Sequence, residues 1–115
     1  MNKFKEKSTF EKRKQESTNI CEKYPGRVPV IVQKYYKSTL PEVDKCKYLV
    51  PKDMTMGQFL FVIRRRVKLE PAHALFITVN GLMTTAGKTI GEVYEEEQDD
   101  DGFVYILYTN ENTFG

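Results

Sequence analysis

Residues 56–67 read Met-Gly-Gln-Phe-Leu-Phe-Val-Ile-Arg-Arg-Arg-Val, and Thr55 stands before them as a candidate N-cap. Apolar side chains recur here at spacings of three and four, at Met56, Phe59, Leu60, Ile63 and Val67. The three arginines lie near the end of the stretch, where cations suit the negative end of a helix dipole. The pattern predicts an amphipathic helix whose broad apolar face must be buried against a second layer.

Strand-like runs on both sides of this helix supply that layer. They are Val28–Tyr36 and Cys46–Pro51 before the helix, and Leu75–Val79 and Phe103–Tyr108 after it. Asn80-Gly81 is the strongest two-residue hairpin signal, and a short helix is predicted at Gly91–Gln98. We therefore expect a mixed sheet wrapped over one main helix, an α+β fold whose element order matches the ubiquitin-like β-grasp.

The N-terminal residues predict two extra helices in front of this fold. Phe10–Lys23 follows Thr9 or Ser8 as a cap, and a short helical turn is predicted at Lys3–Lys7. The longer helix has only a thin stripe near one face, formed by Phe10, Ser17, Ile20, Cys21 and Tyr24. Such a polar helix belongs on the domain surface. We expect one domain over 1–115, with a helical extension at 1–24, a β-grasp core at 28–108 and a C-terminal tail at 109–115.

Composition narrows the class of protein. The chain has 115 residues, 40% of them hydrophobic and 30% charged, as in an ordinary globular domain. It has no apolar window long enough for a membrane span and no secretory leader, so we expect a cytoplasmic protein with reduced thiols at Cys21 and Cys46. With His73 as the single histidine, we predict no metal site, no cofactor and no catalytic set of nucleophile, base and orienting group.

Charge is distributed unevenly along the chain, although the formal net charge is only +2. Residues 3–27 carry eight Lys and Arg against four Glu, whereas every charged residue in 92–101 is acidic. Such asymmetry predicts a basic surface, including Lys12, Arg13 and Lys14, that binds an acidic partner. Nucleic acid is not the expected partner, because the net charge is near neutral and no aromatic platform is present.

The last predicted strand is followed by a short polar tail that ends in Phe114-Gly115. Glycine has no side chain, so its peptide unit can enter a narrow enzyme channel and its carboxyl can react with little steric hindrance. Taken alone, this ending is better explained as an ordinary chain terminus.

Six ordered blocks carry a resemblance to a known family. They are Phe10-Glu-Lys-Arg13, Tyr24-Pro-Gly-Arg-Val-Pro-Val-Ile-Val32, Asp44-Lys-Cys-Lys-Tyr-Leu-Val-Pro51, Gly57-Gln-Phe59 with Ile63-Arg-Arg-Arg66, Asp101-Gly-Phe-Val-Tyr105 and Glu111-Asn-Thr-Phe-Gly115. In these blocks the chain resembles the autophagy-related protein 8 family, ubiquitin-like modifiers that include the GABA receptor-associated protein. The resemblance covers essentially the whole chain.

The resemblance implies that Gly115 is joined to the amine of phosphatidylethanolamine by activating and conjugating enzymes, and that a processing cysteine protease recognises Phe114. Whether a longer precursor is cut after Gly115 or synthesis stops there is open. The free protein would be cytoplasmic, and the lipidated protein would lie on autophagosomal or related membranes. The alternative function is a non-conjugated microtubule or vesicle-trafficking adaptor whose basic helices bind the acidic tails of tubulin.

The resemblance also implies capture of cargo receptors through aromatic-x-x-aliphatic motifs preceded by acidic residues, added as a strand beside the second strand. The aromatic pocket would comprise Glu16, Ile20, Pro29, Ile31, Lys47, Leu49 and Phe103. The aliphatic pocket would comprise Tyr48, Val50, Pro51, Met54, Phe59 and Val62. The acidic flank would meet Arg27, Lys45, Lys47 and Arg66. Simple core packing is the alternative reading for the apolar members, above all for Phe59 and Val62.

The chain departs from the family pattern at several positions. Tyr35-Tyr36 stands where smaller or charged residues are frequent, and we expect it either to make the loop after the first strand less mobile or to present a new apolar contact. Cys21 and Cys46 stand where relatives often have basic residues, and Met54 where leucine is common. Met54 is expected to make the aliphatic pocket more adaptable.

Overall fold

The computed structural model describes residues 2–70 and 72–111 and contains one mixed sheet of five strands. In chain order the strands are β1 (Arg27–Lys34), β2 (Lys47–Pro51), β3 (Phe76–Val79), β4 (Leu82–Met83) and β5 (Val104–Thr109). The order across the sheet is β2-β1-β5-β3-β4. The two central strands, β1 and β5, are parallel, and all the other neighbours are antiparallel. This α+β arrangement is the expected ubiquitin-like β-grasp.

The described residues form four helices around the sheet: α1 (Lys3–Glu6), α2 (Phe10–Lys23), α3 (Met56–Val67) and α4 (Ile90–Glu97). Helix α3 begins where the sequence places it because Thr55 and Gln58 form a reciprocal capping box. Thr9 caps α2, since its side chain accepts the Lys12 N–H. Across the two described ranges, no helix is both long enough and apolar enough to cross a membrane.

The hydrophobic core lies between α3 and one face of the sheet. Met56, Phe59, Ile63 and Val67 of α3 are buried together with alternate residues of the strands, such as Val30 and Ile106. The other face of the sheet carries α1 and α2, where the ring of Phe4 meets the ring of Phe103 edge-on. The sheet is therefore covered on both faces, and its β2 side remains an open edge.

The strand count differs from the sequence prediction. Four strands were expected, and β4 is the fifth. It pairs with β3 through the turn at Asn80 (φ 52°) and Gly81 (φ 79°), which the hairpin signal had predicted. Two residues are too few to show strand alternation, so the pattern could reveal the turn but not the strand after it.

The buried stripe of α2 also differs from the prediction. Phe10 and Tyr24 are exposed, whereas Arg13 and Ser17 are the buried residues of this helix. The prediction that Arg13 belongs to an exposed basic surface is wrong, because its side chain forms a buried ion pair with Asp101. Arg13 is therefore not free to bind an acidic partner.

Candidate functional site

The open edge of β2 carries backbone groups that form no hydrogen bond to another strand. Val32 N–H donates to Cys46 O, and Lys52 N–H donates to Gly26 O, so alternate residues of the strand face β1. The backbone N–H and C=O groups of Lys47 and Leu49 consequently point away from the sheet. An edge of this kind is a template for the addition of another strand.

A cavity of about 210 Å³ lies beside this edge on the side of α2. Its walls are Ile20, Pro29, Lys45, Lys47, Tyr48, Leu49 and Phe103. The structure thus brings together five of the seven residues predicted for the aromatic pocket. Glu16 stands at the rim, where its carboxylate holds the Lys47 ammonium, and Ile31 is fully buried.

The predicted aliphatic pocket lies on the opposite face of β2, against α3. Tyr48, Val50 and Phe59 are buried in the core, and the Tyr48 and Phe59 rings meet edge-on with centroids 5.7 Å apart. Pro51, Met54 and Val62 are half-buried. A partner could therefore contact the second trio directly, while the first trio supports it from within.

The four residues predicted to meet an acidic flank are all exposed, and each already has an intramolecular contact. Lys47 Nζ lies 2.7 Å from Glu16 Oε2, and Arg66 Nε lies 3.9 Å from Asp44 Oδ1. Lys45 Nζ lies 5.3 Å from the Tyr48 ring centroid, and the Arg27 guanidinium donates to Leu49 O at 3.2 Å. An acidic peptide would have to replace the Glu16 and Asp44 carboxylates, which costs little at the surface.

Phe4 belongs to this site, although sequence reasoning did not assign it. Its ring centroid lies 5.3 Å from that of Phe103, a wall of the cavity, and Lys47 Nζ lies 5.7 Å from the centroid of Phe4. The Phe4 N–H donates to Gln33 Oε1 at 2.9 Å, which fixes α1 on β1. The available signal was an aromatic residue isolated among charged residues at the N-terminus.

Asp101 ties the helical extension to the strand that carries Phe103. Its carboxylate accepts from Arg13 Nε at 2.8 Å, from the Phe103 N–H at 2.9 Å and from the Tyr105 hydroxyl. The Asp101 carbonyl also accepts from the Ser17 hydroxyl. The hydrogen bond to Asp101 raises the pKa of Arg13, and burial together with the same carboxylate raises the pKa of Tyr105. Both groups therefore keep their protons, and α2 is held against the cavity wall.

Phe114 and Gly115 lie outside the described residues, so their predicted roles remain predictions. Strand β5 ends at Thr109, and Asn110 is anchored to the loop after β1 by Ser38 at 3.0 Å and by Thr39 at 2.8 Å. In the part of the chain that the structure covers, no three His, Cys, Asp or Glu side chains form a group that could hold a metal ion.

Comparisons with known proteins agree with this architecture. Residues 12–115 match the family model described as autophagy protein Atg8, ubiquitin like. Autophagy-related protein 8e of Arabidopsis thaliana is 54% identical over 112 residues, which cover 97% of this chain and 92% of the relative. Autophagy-related protein 8 of Candida glabrata is 53% identical over 112 residues, which cover 97% of this chain and 95% of that relative.

A solved structure gives the same result for the fold. The crystal structure of Trypanosoma brucei ATG8 aligns with a TM-score of 0.92 and 41% sequence identity, covering 100% of this chain and 99% of that one. Sequence and fold thus agree over nearly the whole length, and the chain belongs to the Atg8 family of ubiquitin-like autophagy proteins.

Proposed function

We propose that this chain is a modifier whose Gly115 carboxyl is joined through an amide bond to the amine of phosphatidylethanolamine. Membership of the family supports this function, and the family match extends to residue 115. Activating and conjugating enzymes would carry the carboxyl to the lipid. A processing cysteine protease would recognise Phe114, and residues 109–115 would serve as the conjugation tail behind the core at 28–108.

Attachment to a phospholipid would change where the protein resides. A single acyl chain gives only marginal and reversible binding to a bilayer, whereas two chains give stable anchoring. Phosphatidylethanolamine carries two chains, so the conjugate would stay on autophagosomal or related membranes. The unconjugated protein would be cytoplasmic.

Mass spectrometry of the membrane-bound protein from cells tests this proposal. We expect a phosphatidylethanolamine adduct on Gly115, and loss of the adduct and of membrane puncta in Gly115→Ala. Gly87→Ala is the matched control, because a Cβ on Gly87 meets nothing within 4 Å. An unmodified Gly115 in cells with a working conjugation system would refute lipid conjugation.

We further propose that the groove formed by the β2 edge and its two flanking pockets binds aromatic-x-x-aliphatic motifs of cargo receptors. The observation that carries this proposal is the cavity beside an open strand edge, lined by Ile20, Leu49 and Phe103. The edge offers backbone hydrogen bonds, the cavity offers a place for one anchor side chain, and the half-buried Pro51, Met54 and Val62 offer an apolar surface for the second. Burial of two such anchors together with strand pairing suits micromolar affinities, which correspond to about −8 kcal/mol.

Binding of a labelled peptide with the sequence Gly-Glu-Glu-Trp-Glu-Glu-Leu-Gly tests the groove by fluorescence anisotropy. Leu49→Ala should weaken binding because Leu49 is partly exposed in the groove. Leu82→Ala removes an exposed leucine from β4, at the opposite edge of the sheet, and should leave binding unchanged. Equal losses in the two variants would refute the location of the groove.

The alternative function, a non-conjugated microtubule or vesicle-trafficking adaptor, receives less support. It depends on basic side chains of the helical extension, and Lys5 and Arg13 are held by Asp99 and Asp101. Lys12 and Lys14 are exposed. Co-sedimentation with microtubules that is lost in the double variant Lys12→Gln and Lys14→Gln would favour this function.

A further inference from the structure

A second hollow, of about 320 Å³, lies next to the groove where β2 begins. Its apolar walls are Phe4 of α1, Val32 of β1, and Tyr36, Val43 and Cys46 of the connection between β1 and β2. The volume is at the small end of the roughly 300–1,000 Å³ typical of ligand pockets, so it suits one large side chain better than a whole small molecule.

The hollow lies directly beside the aromatic cavity of the groove. Phe4 lines the hollow, and the ring of Phe4 also packs edge-on against Phe103, a wall of the aromatic cavity. Cys46 lines the hollow directly before Lys47, the first residue of β2 and a wall of the same cavity. A peptide that lies along the β2 edge and continues past Lys47 would therefore reach the hollow.

The assignment of the two pockets gives the direction in which that peptide would run. Its aromatic anchor would sit by Lys47 and Leu49, and its aliphatic anchor, three residues later, by Pro51 and Met54. The peptide would thus run parallel to β2. Residues that precede the aromatic anchor would pass Lys45 and extend toward Cys46 and Val43.

The charges around the hollow suit the acidic residues of such a peptide. Lys3, Lys7 and Lys34 line the hollow with Glu42 as the one acidic wall residue. The Glu42 carboxylate lies 3.2 Å from Lys3 Nζ and 3.8 Å from Lys34 Nζ. The rim is therefore net basic and attracts the acidic segment of the peptide. An apolar residue on the N-terminal side of that segment would then lie at the hollow.

We propose that the hollow is a third anchor site of the peptide groove, which takes an apolar side chain that lies on the N-terminal side of the acidic flank. This inference rests on the proposed function of the groove. Two of the walls, Tyr36 and Cys46, present an aromatic and a weakly polar side chain to the hollow. The third site would therefore give this chain a preference for longer motifs than the two shared pockets require.

Isothermal titration calorimetry with matched peptides tests the third site. The core peptide Gly-Glu-Glu-Trp-Glu-Glu-Leu-Gly is extended at its N-terminus. The variants carry Leu or Ala at the third residue before Trp, which is the first Gly of the core peptide, or at the fourth or fifth residue before Trp. At one of these positions we expect Leu to bind about fivefold more tightly than Ala, since burial of one apolar side chain is partly offset by the cost of ordering it. Equal affinities for Leu and Ala at all three positions, with the core peptide bound, would overturn the third site alone.

Failure of the core peptide to bind would instead overturn the groove and the third site together. Cys46→Gln places a longer neutral polar side chain in the hollow, and we expect it to abolish the preference for Leu while the core peptide binds as before. Leu82→Gln, on β4 at the other edge of the sheet, is the control and should keep the preference. A Leu preference that survives Cys46→Gln would place the third anchor elsewhere.

The protein's own tail is the competing occupant, and the same titration identifies it. A chain that stops at Glu111 should show the same Leu preference as the full chain. If the preference appeared only after residues 112–115 were removed, the hollow would belong to the tail, and the assignment to a peptide partner would be overturned.

Discussion

Arg13 and Asp101 are 88 positions apart in sequence, yet Arg13 Nε lies 2.8 Å from Asp101 Oδ2. The Asp101 side chain is fully buried, and 9% of the Arg13 side chain is exposed. The pair joins the helical extension to the turn that precedes β5, directly before Phe103 and the aromatic cavity. The N-terminal helices are thus part of the folded domain, and α2 contributes Ile20 to the cavity of the proposed groove.

Loss of Arg13 should destabilise the protein strongly. Arg13→Gln leaves the Asp101 carboxylate buried without its ionic partner, and removal of one member of a buried ion pair costs about 3–5 kcal/mol. Urea denaturation followed by circular dichroism measures the free energy of unfolding. Lys12→Gln, on an exposed side chain of the same helix, is the control and should stay within about 0.5 kcal/mol of the parent. Equal stability of the two variants would contradict the buried role of the pair.

The pair of Arg13 and Asp101 could not be predicted from the local sequence. The polar sequence of α2 predicts that Arg13 is exposed to solvent. Burial of an arginine needs a charged partner, and the local sequence does not contain that partner. From the sequence, the basic residues near 13 are assigned to the surface, and the acidic residues near 101 are given no partner within the chain. Long-range pairing of two charge clusters has no local periodicity, so only the fold reveals it.

Helix α3 could be predicted because all of its signals lie within one short segment. The Thr55–Gln58 capping box, the spacing of Phe59 and Ile63 and the final arginines all act within one segment. The pocket residues were predicted from the family resemblance and not from their pattern, because Leu49 at the strand edge and Phe59 in the core are equally apolar. Exposure of 37% for Leu49 and 1% for Phe59 separates the two roles, and exposure is a property of the folded chain.

Gly102 should tolerate no side chain. Its φ is +87°, which disfavours residues with a Cβ, and a Cβ at this position would collide with the Ser17 hydroxyl oxygen. Strain and overpacking together predict that Gly102→Ala lowers the free energy of unfolding by about 2–4 kcal/mol. Thermal denaturation of this variant beside Gly26→Ala, where a Cβ meets nothing within 4 Å, checks the prediction. A melting temperature equal to that of Gly26→Ala would disprove the close approach of α2.

Acid should weaken the contact between α1 and the acidic turn. Burial acts to raise the pKa of Asp99, but hydrogen bonds from Lys5 Nζ, at 2.7 Å, and from the Asp101 N–H outweigh it, so the pKa lies below its ordinary value of 3.8. A carboxyl with a lowered folded-state pKa stabilises the fold above its unfolded pKa, and this contribution disappears as the pH falls through the folded pKa.

Asp99→Asn should therefore cost up to about 1 kcal/mol at about pH 7 and less at about pH 2, because the parent carboxyl gains a proton as the pH falls through its folded-state pKa. Asp100→Asn removes the same charge from the exposed neighbouring residue and should have little effect at either pH. Urea denaturation at the two pH values measures the difference. A cost for Asp99→Asn that is the same at both would show that the ion pair with Lys5 contributes nothing.

Removal of the Glu16 carboxylate should strengthen the binding of acidic peptides. Glu16 Oε2 holds Lys47 Nζ at 2.7 Å at the rim of the cavity, and both side chains are partly exposed. A peptide carboxylate must displace Glu16 and also experiences its repulsion, so Glu16→Gln should tighten binding of Gly-Glu-Glu-Trp-Glu-Glu-Leu-Gly by about two- to fivefold at low salt. Screening should reduce the gain at about 1 M salt.

Glu22→Gln removes the same charge from an exposed position on the same helix, and calorimetry should find little change in its affinity. A gain of equal size in both variants would show that the net charge of the protein, and not the release of Lys47, controls the affinity for the acidic residues of the peptide.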